Sequence, residues 1–202
     1  MLAKVLVVAG PSGSGKSRLC RRLHQTCGVP TVNLDDFYKD GDDPTLPGLD
    51  LAGGDPIVDW DDPASWNHEA AVGAVEELCR TGCTDAPVYD IATSGRTGHR
   101  VLQLGGSAYF VAEGIFAQEI VGECRRRGLL AEAVCVTQHP TLTFVRRLTR
   151  DLREHRKPPF VLVRRGLHLL LAQRAVVRRA QELGCRVVSP EAAYREVRSL
   201  IA

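Results

Sequence analysis

With 202 residues, 44% of them hydrophobic, the chain suits one α/β domain with a substantial core and room for a small lid. A net charge of +2 singles out no partner, and no apolar run approaches membrane-spanning length. The N-terminus enters a strand at once with no signal peptide, so a soluble, cytoplasmic protein is expected.

The seven cysteines are odd in number and scattered; Cys79 and Cys83 form the closest pair, and no second pair completes a zinc site. They read as reduced, mostly buried thiols. Charge is unevenly spread. Ten aspartates and one basic residue, Lys39, lie between Asp35 and Asp62, whereas arginines dominate from Arg146 to Arg179. That division suits metal and substrate chemistry on one side and phosphate charge on the other. A nucleic-acid footprint is the weaker reading of the basic stretch, against solvated helix faces.

In chain order, Lys4 to Ala9 (KVLVVA) predicts a buried strand. Gly10-Pro11-Ser12-Gly13-Ser14-Gly15-Lys16-Ser17 follows and fits G-x-x-x-x-G-K-[ST]; Leu19 and Leu23, four apart, then predict a helix. Strand, glycine-rich loop and helix make the context of a phosphate-binding P-loop. Backbone N–H groups close around a phosphate, Lys16 reaches the β- and γ-phosphates, and the Ser17 hydroxyl suits Mg²⁺.

A second strand is expected over 28–34, ending at Asp35-Asp36-Phe37-Tyr38. A carboxylate at the C-terminal end of a parallel strand faces the ligand crevice and could take a proton from a hydroxyl; turn formation is the competing use of Asp. Residues 40–62, rich in Gly, Pro and Asp, predict a long loop. Asp62-Pro63 predicts the start of a helix running through Trp66 to about Arg80 and stopping near Gly82.

Pro87–Ile91 and the alternating stretch to Leu104 predict a β-hairpin extending from the main sheet. Ala108–Ala112 predicts a strand ending at Glu113, a second strand-end carboxylate suited to Mg²⁺. A helix is expected over Ile115–Arg127, a strand over Ala133–Thr137, and a helix opening at His139-Pro140 and stopped by Pro158-Pro159. A long helix over about 161–183, a strand over Cys185–Val188 and a terminal helix from Ser189-Pro190 to about Ile201 complete the chain. Alternating strands and helices imply a mostly parallel sheet with crossover helices, in a single domain over 1–202.

The ordered motifs resemble the uridine/cytidine kinases, in the phosphoribulokinase/uridine kinase branch of P-loop kinases. The matching pieces are GPSGSGKS at 10–17, Asp35-Asp36-Phe37-Tyr38, Trp60-Asp61-Asp62-Pro63, Pro87-Val88-Tyr89-Asp90-Ile91, Ala112-Glu113-Gly114-Ile115 and Arg146-Arg147-Leu148-Thr149-Arg150-Asp151. The resemblance covers the chain up to about residue 157. It implies a three-layer α/β/α P-loop NTPase fold, with a substrate-side loop (about 36–62), a hairpin (about 89–104) and an arginine-rich helical lid (about 146–158).

It also implies roles. Asp35 would be the general base for the nucleoside 5′-hydroxyl, and Asp61 would hold ribose hydroxyls. Tyr38, Tyr89 and Arg96 would line the substrate side. Ser17 and Glu113 would sit around Mg²⁺, while Arg147, Arg150 and Arg156 would close on ATP phosphates together with Lys16. ATP and Mg²⁺ are the implied cofactors, and a small molecule, most readily a nucleoside, the partner; neither nucleic acid nor membrane is expected. The chain departs from the family pattern at Ser94-Gly95-Arg96, where the family usually has His-Ser-Arg, and at Asp62 and Ile91. Those departures leave the acceptor open, with pantothenate or a sugar phosphate as alternatives, alongside an inactive nucleotide-binding regulator.

Overall fold

A computed structural model describes residues 2–49, 57–138 and 173–201. In chain order the strands are β1 (Lys4–Ala9), β2 (Thr31–Asn33), β3 (Gly48–Leu49), β4 (Ile57–Val58), β5 (Cys83–Asp90), β6 (Gly95–Gln103), β7 (Tyr109–Glu113), β8 (Leu130–Val136) and β9 (Arg186–Val188). The helices are α1 (Lys16–Cys27), α2 (His68–Thr81), α3 (Val121–Arg126), α4, described over 173–182, and α5 (Pro190–Ile201).

Five strands form one parallel sheet in the order β2-β7-β1-β8-β9. In β1 every residue from Val5 to Ala9 is buried, and alternate side chains face opposite sides. Val5, Val7 and Ala9 join Phe110 and Ala112 of β7 in a core closed by Val75 and Leu78 of α2, Ile120, and Ala180 of α4. Leu6 and Val8 join Val111, Val134 and Val136 in a second core closed by Leu19 and Leu23 of α1 and Tyr194 and Val197 of α5. The sheet is covered on both faces, as an all-parallel sheet requires. This is the α/β architecture expected from the alternating elements. Phe110, fully buried at the centre, would cost about 3–5 kcal/mol on truncation to alanine.

Three expectations are corrected. The helix predicted from Asp62-Pro63 is two elements: Asp62 caps only a 3₁₀ turn at Pro63–Ser65, Trp66 is extended, and Asn67 caps α2 by accepting from Ala70 N–H. The break comes from Trp66, which is buried and donates from Nε1 to Leu34 O at 2.7 Å. Helical backbone at Trp66 would swing the indole away from that acceptor. The helix expected over Ile115–Arg127 is instead a 3₁₀ turn at Ala117–Ile120 followed by the short α3.

The hairpin starts earlier than expected, at Cys83, and is not an extension of the main sheet. Strands β5 and β6 form a sheet of their own. It is tethered to the body at its base, where Leu104 N–H donates to Gly82 O at 2.8 Å and buried Thr84 donates to Glu77 of α2. The predicted loop 40–62 carries a two-residue antiparallel pair, β3 with β4. The arginine-rich helical lid and the helix opening at His139 lie outside the described residues. All seven cysteines are free thiols, and five of them are buried.

Candidate active site

The site lies at the C-terminal ends of β1, β2 and β7, where an open parallel sheet presents a crevice. After β1 the chain turns through Gly10 into the loop that starts α1. Gly10 has φ 140°, and a Cβ there would stand 2.3 Å from Val136 O. Only glycine brings this backbone so close to β8. Ser14 is fully buried, and its hydroxyl has no partner among the described residues. A buried hydroxyl and a ring of backbone amides at the start of a helix are what a phosphate would satisfy.

Lys16, 6% exposed, lies back across the loop and donates from Nζ to the carbonyls of Gly10 (2.7 Å) and Pro11 (3.3 Å). Burial lowers its pKa from the ordinary lysine value, while the carboxylates of Asp35 and Glu113 pull it up. Lys16 is therefore within electrostatic reach of two acids supplied by neighbouring strands.

Ser17 Oγ donates to Glu113 Oε2 at 3.2 Å, joining the first turn of α1 to the end of β7. Burial raises the Glu113 pKa, and Lys16 and the Ser17 hydrogen bond offset part of that. Among the described residues no group of three or more His, Cys, Asp or Glu side chains could hold a metal ion. A hydroxyl with one carboxylate is nevertheless a donor set that fits Mg²⁺, which keeps several waters and takes further ligands from phosphates.

Asp35 follows β2 in a 3₁₀ turn capped by Asn33, whose Oδ1 accepts from Asp35 N–H at 3.2 Å. The Asp35 carboxylate accepts from Ile115 N–H through Oδ1 at 2.9 Å. Among the described residues nothing donates to Oδ2. A Cβ on Gly114 would stand 2.8 Å from Asp35 Oδ1, so the glycine after Glu113 is what lets the two strand ends approach. Asp36 turns the other way. It accepts from Tyr89 N–H and faces Arg100 of the hairpin at 3.8 Å, with its pKa raised by burial.

Of the remaining expected residues, Tyr38 and Tyr89 build an aromatic wall beyond Asp36. Tyr38 packs on Trp60, Tyr89 and Phe116 at centroid distances of 5.7, 5.6 and 5.9 Å and donates to Trp60 O at 3.0 Å. Aromatic pairs add about 0.5–1.5 kcal/mol each, so the three rings together hold Tyr38 more firmly than the hydrogen bond to Trp60 O, about 1 kcal/mol. Tyr89 donates to Lys39 O at 3.3 Å, and burial pushes its hydroxyl up to about 12. Asp61 is exposed at the rim, directly after Trp60. Arg96 is turned onto Asp40, with its Nε 2.9 Å from Oδ2 and its N–H 2.7 Å from Oδ1. Arg147, Arg150 and Arg156 lie outside the described residues.

Sequence reasoning passed over Asn33, Phe116 and the approach at Gly114. The Glu-Gly dipeptide after a buried strand was the available signal for the last.

The sequence profile of the phosphoribulokinase / uridine kinase family matches residues 5–157. The chain belongs to this family. It is a phosphotransferase that acts on an alcohol acceptor. Among curated relatives, a uridine kinase of Deinococcus deserti is 32% identical over 167 residues, covering 81% of this chain and 75% of the relative. A uridine kinase of Geobacillus kaustophilus is 29% identical over 153 residues, covering 74% and 68%. Among solved structures, a proposed fructose transport system kinase from Silicibacter superposes with a TM-score of 0.65 at 17% identity, covering 94% of this chain and 88% of that one. That last likeness is one of fold. The family match ends at residue 157, and the P-loop, Asp35, the hairpin and Glu113 all fall within it.

Proposed function

We propose that the chain transfers the γ-phosphoryl group of ATP to the 5′-hydroxyl of uridine or cytidine, with Mg²⁺ accompanying the triphosphate. The observation that carries this reading is the meeting of Lys16, Ser17, Asp35 and Glu113, from three strand ends, in one crevice. Backbone amides of 10–17 would hold the phosphates, and Lys16 would exchange the carbonyls of Gly10 and Pro11 for phosphate oxygens. Bound Mg²⁺ would neutralise phosphate charge, with Ser17 Oγ and Glu113 as its protein ligands.

Asp35 is oriented by Ile115 N–H through one oxygen, and the other is available to accept the hydroxyl proton as the nucleophile attacks. Little covalent help is needed, since phosphoryl transfer is mostly positioning and charge stabilisation. Tyr38, Trp60 and Tyr89 form an aromatic surface suited to a flat base. The free thiols of all seven cysteines are in keeping with a reducing, cytoplasmic setting.

Ser94, at φ 51°, stands where the family resemblance leads one to expect a histidine, and this favours a second reading. In it the acceptor is a smaller polyol or sugar phosphate that needs no base contact. A panel of uridine, cytidine, pantothenate and sugar phosphates, followed by ADP release, separates the two. Turnover with a sugar phosphate and none with nucleosides would overturn the first. ATP binding without ADP release for any acceptor would point to a regulator instead.

A further inference from the structure

The back of the phosphate loop is held by a pair of glutamine amides that lie outside the loop motif. Gln138, just beyond the end of β8, donates from Nε2 to Ser14 O at 2.8 Å. Gln173 of α4, 5% exposed, donates from Nε2 to Gln138 O at 3.1 Å and stands 3.4 Å from Thr137 Oγ1. The Gln138 amide sits so close that a Cβ on Gly15 would meet its Nε2 at 3.0 Å.

These contacts act on one peptide unit. All described peptide bonds are trans. In a trans peptide the carbonyl and the next N–H point in opposite directions from one plane. A donor that fixes Ser14 C=O toward β8 therefore aims the Gly15 N–H away from β8. No described residue accepts from that N–H, while Leu19 N–H already takes the Gly15 carbonyl at 3.0 Å. The Ser14–Gly15 peptide could otherwise turn over easily, because Gly15 at φ 102° has no Cβ to resist rotation.

We propose that Gln138 is a positioning residue that locks the Ser14–Gly15 peptide with its N–H facing the nucleotide phosphates, and that Gln173 holds the Gln138 backbone in place for this. The inference rests on the reading of the loop as an ATP site. It assigns the loop's geometry to a side chain 124 positions away from Ser14. Gln138 touches neither phosphate nor acceptor in this scheme; its effect passes through one peptide plane.

The test uses the full chain with Gln138→Met, Gln138→Glu and Gln173→Met. Gln138→Met keeps length and removes the donor. It should weaken ATP binding, measured by calorimetry, up to about five- to tenfold, the equivalent of one net hydrogen bond, with the acceptor KM unchanged. Gln138→Glu sets a carboxylate against the Ser14 carbonyl and should bind more weakly still at neutral pH. It should recover toward about pH 5, relative to the parent at the same pH, as the carboxyl gains a proton it can donate. Gln173→Met should give a smaller loss of the same kind. ATP affinity of Gln138→Met within twofold of the parent, or a loss shared equally by the acceptor KM, would overturn the inference. A parent protein that binds no ATP would overturn both the ATP reading and this one.

Discussion

Ser17 Oγ, on the first turn of α1, donates to Glu113 Oε2 at the end of β7, 3.2 Å away and 96 positions along the chain. The pair joins the phosphate loop to the second acid of the crevice. Glu113→Gln keeps an oxygen that can accept from Ser17 but removes the charge. Its Mg²⁺-dependent turnover should fall by about 10²-fold or more, the scale of lost electrostatic stabilisation. ATP affinity in excess chelator should not fall, because a like charge beside the phosphates is removed. Unaltered Mg²⁺ dependence in this variant would exclude Glu113 as a metal ligand.

Asp35→Asn should be nearly silent structurally, because the amide oxygen can still accept from Ile115 N–H. Its kcat should drop by about 10²–10⁴, the range of general-base contributions, with ATP binding nearly intact. A kcat close to the parent's would remove Asp35 as the base.

Gly114→Ala tests the approach of two strand ends. The new Cβ would stand 2.8 Å from Asp35 Oδ1 and 3.1 Å from Leu34 Cβ, so the Asp35 turn must shift. A displacement of this kind should lower kcat by about 10²-fold, as small misplacements at a reacting centre do. The ATP dissociation constant should stay within twofold, since the loop at 10–17 is untouched. Equal loss of ATP affinity would show that the substitution disturbs the whole crevice rather than Asp35.

Lys16 carries its charge in a buried setting. Burial opposes its ammonium, and the neighbouring acids offset only part of that. A base with a depressed folded pKa weakens the fold increasingly as pH falls below its unfolded value, 10.5 for lysine, where the unfolded chain holds the proton at no penalty. Lys16→Met should therefore raise the melting temperature at neutral pH while abolishing turnover. A lower melting temperature would mean that the carboxylates, left without Lys16, cost more than the buried ammonium did.

Asp40 gives a pH prediction. Its hydrogen bonds to the Arg96 side chain and backbone hold its carboxyl below the usual value. An acid with a depressed folded pKa adds stability that is present above its unfolded value, near 3.8, and lost as pH falls through the folded value. The urea midpoint of Asp40→Asn should trail the parent at pH 7, and the gap should narrow as pH falls below the unfolded value of 3.8. A gap independent of pH would assign the effect to shape rather than charge.

How far these residues could be read in advance differs by kind. The glycine-rich loop, the strand before it and the helix after it were legible because their signals are local. Val-rich burial, fixed glycine positions and a four-residue apolar spacing all act over a few residues. Asp35 and Glu113 were legible as strand-end acids, because parallel strands in an open sheet all deliver their C-terminal ends to one crevice. Trp66 was misread as part of a helix, since its extended backbone is set by an acceptor, Leu34 O, 32 positions earlier. Arg96 was legible as a cation near the site but not as the partner of Asp40.

The amino-acid sequence by itself determined the phosphate loop, the alternation of strands and helices, and the supply of acids to one edge of the sheet. Tertiary structure decided which groups meet. The hairpin stands as its own sheet, Gly114 admits the Asp35 carboxylate, Arg96 pairs with Asp40, and Gln138 steadies Ser14. The reason is range. Period, capping and turn chemistry act between near neighbours and leave a pattern in the chain. A hydrogen bond between residues 56 or 124 positions apart depends on where the packed sheet delivers them, and leaves none.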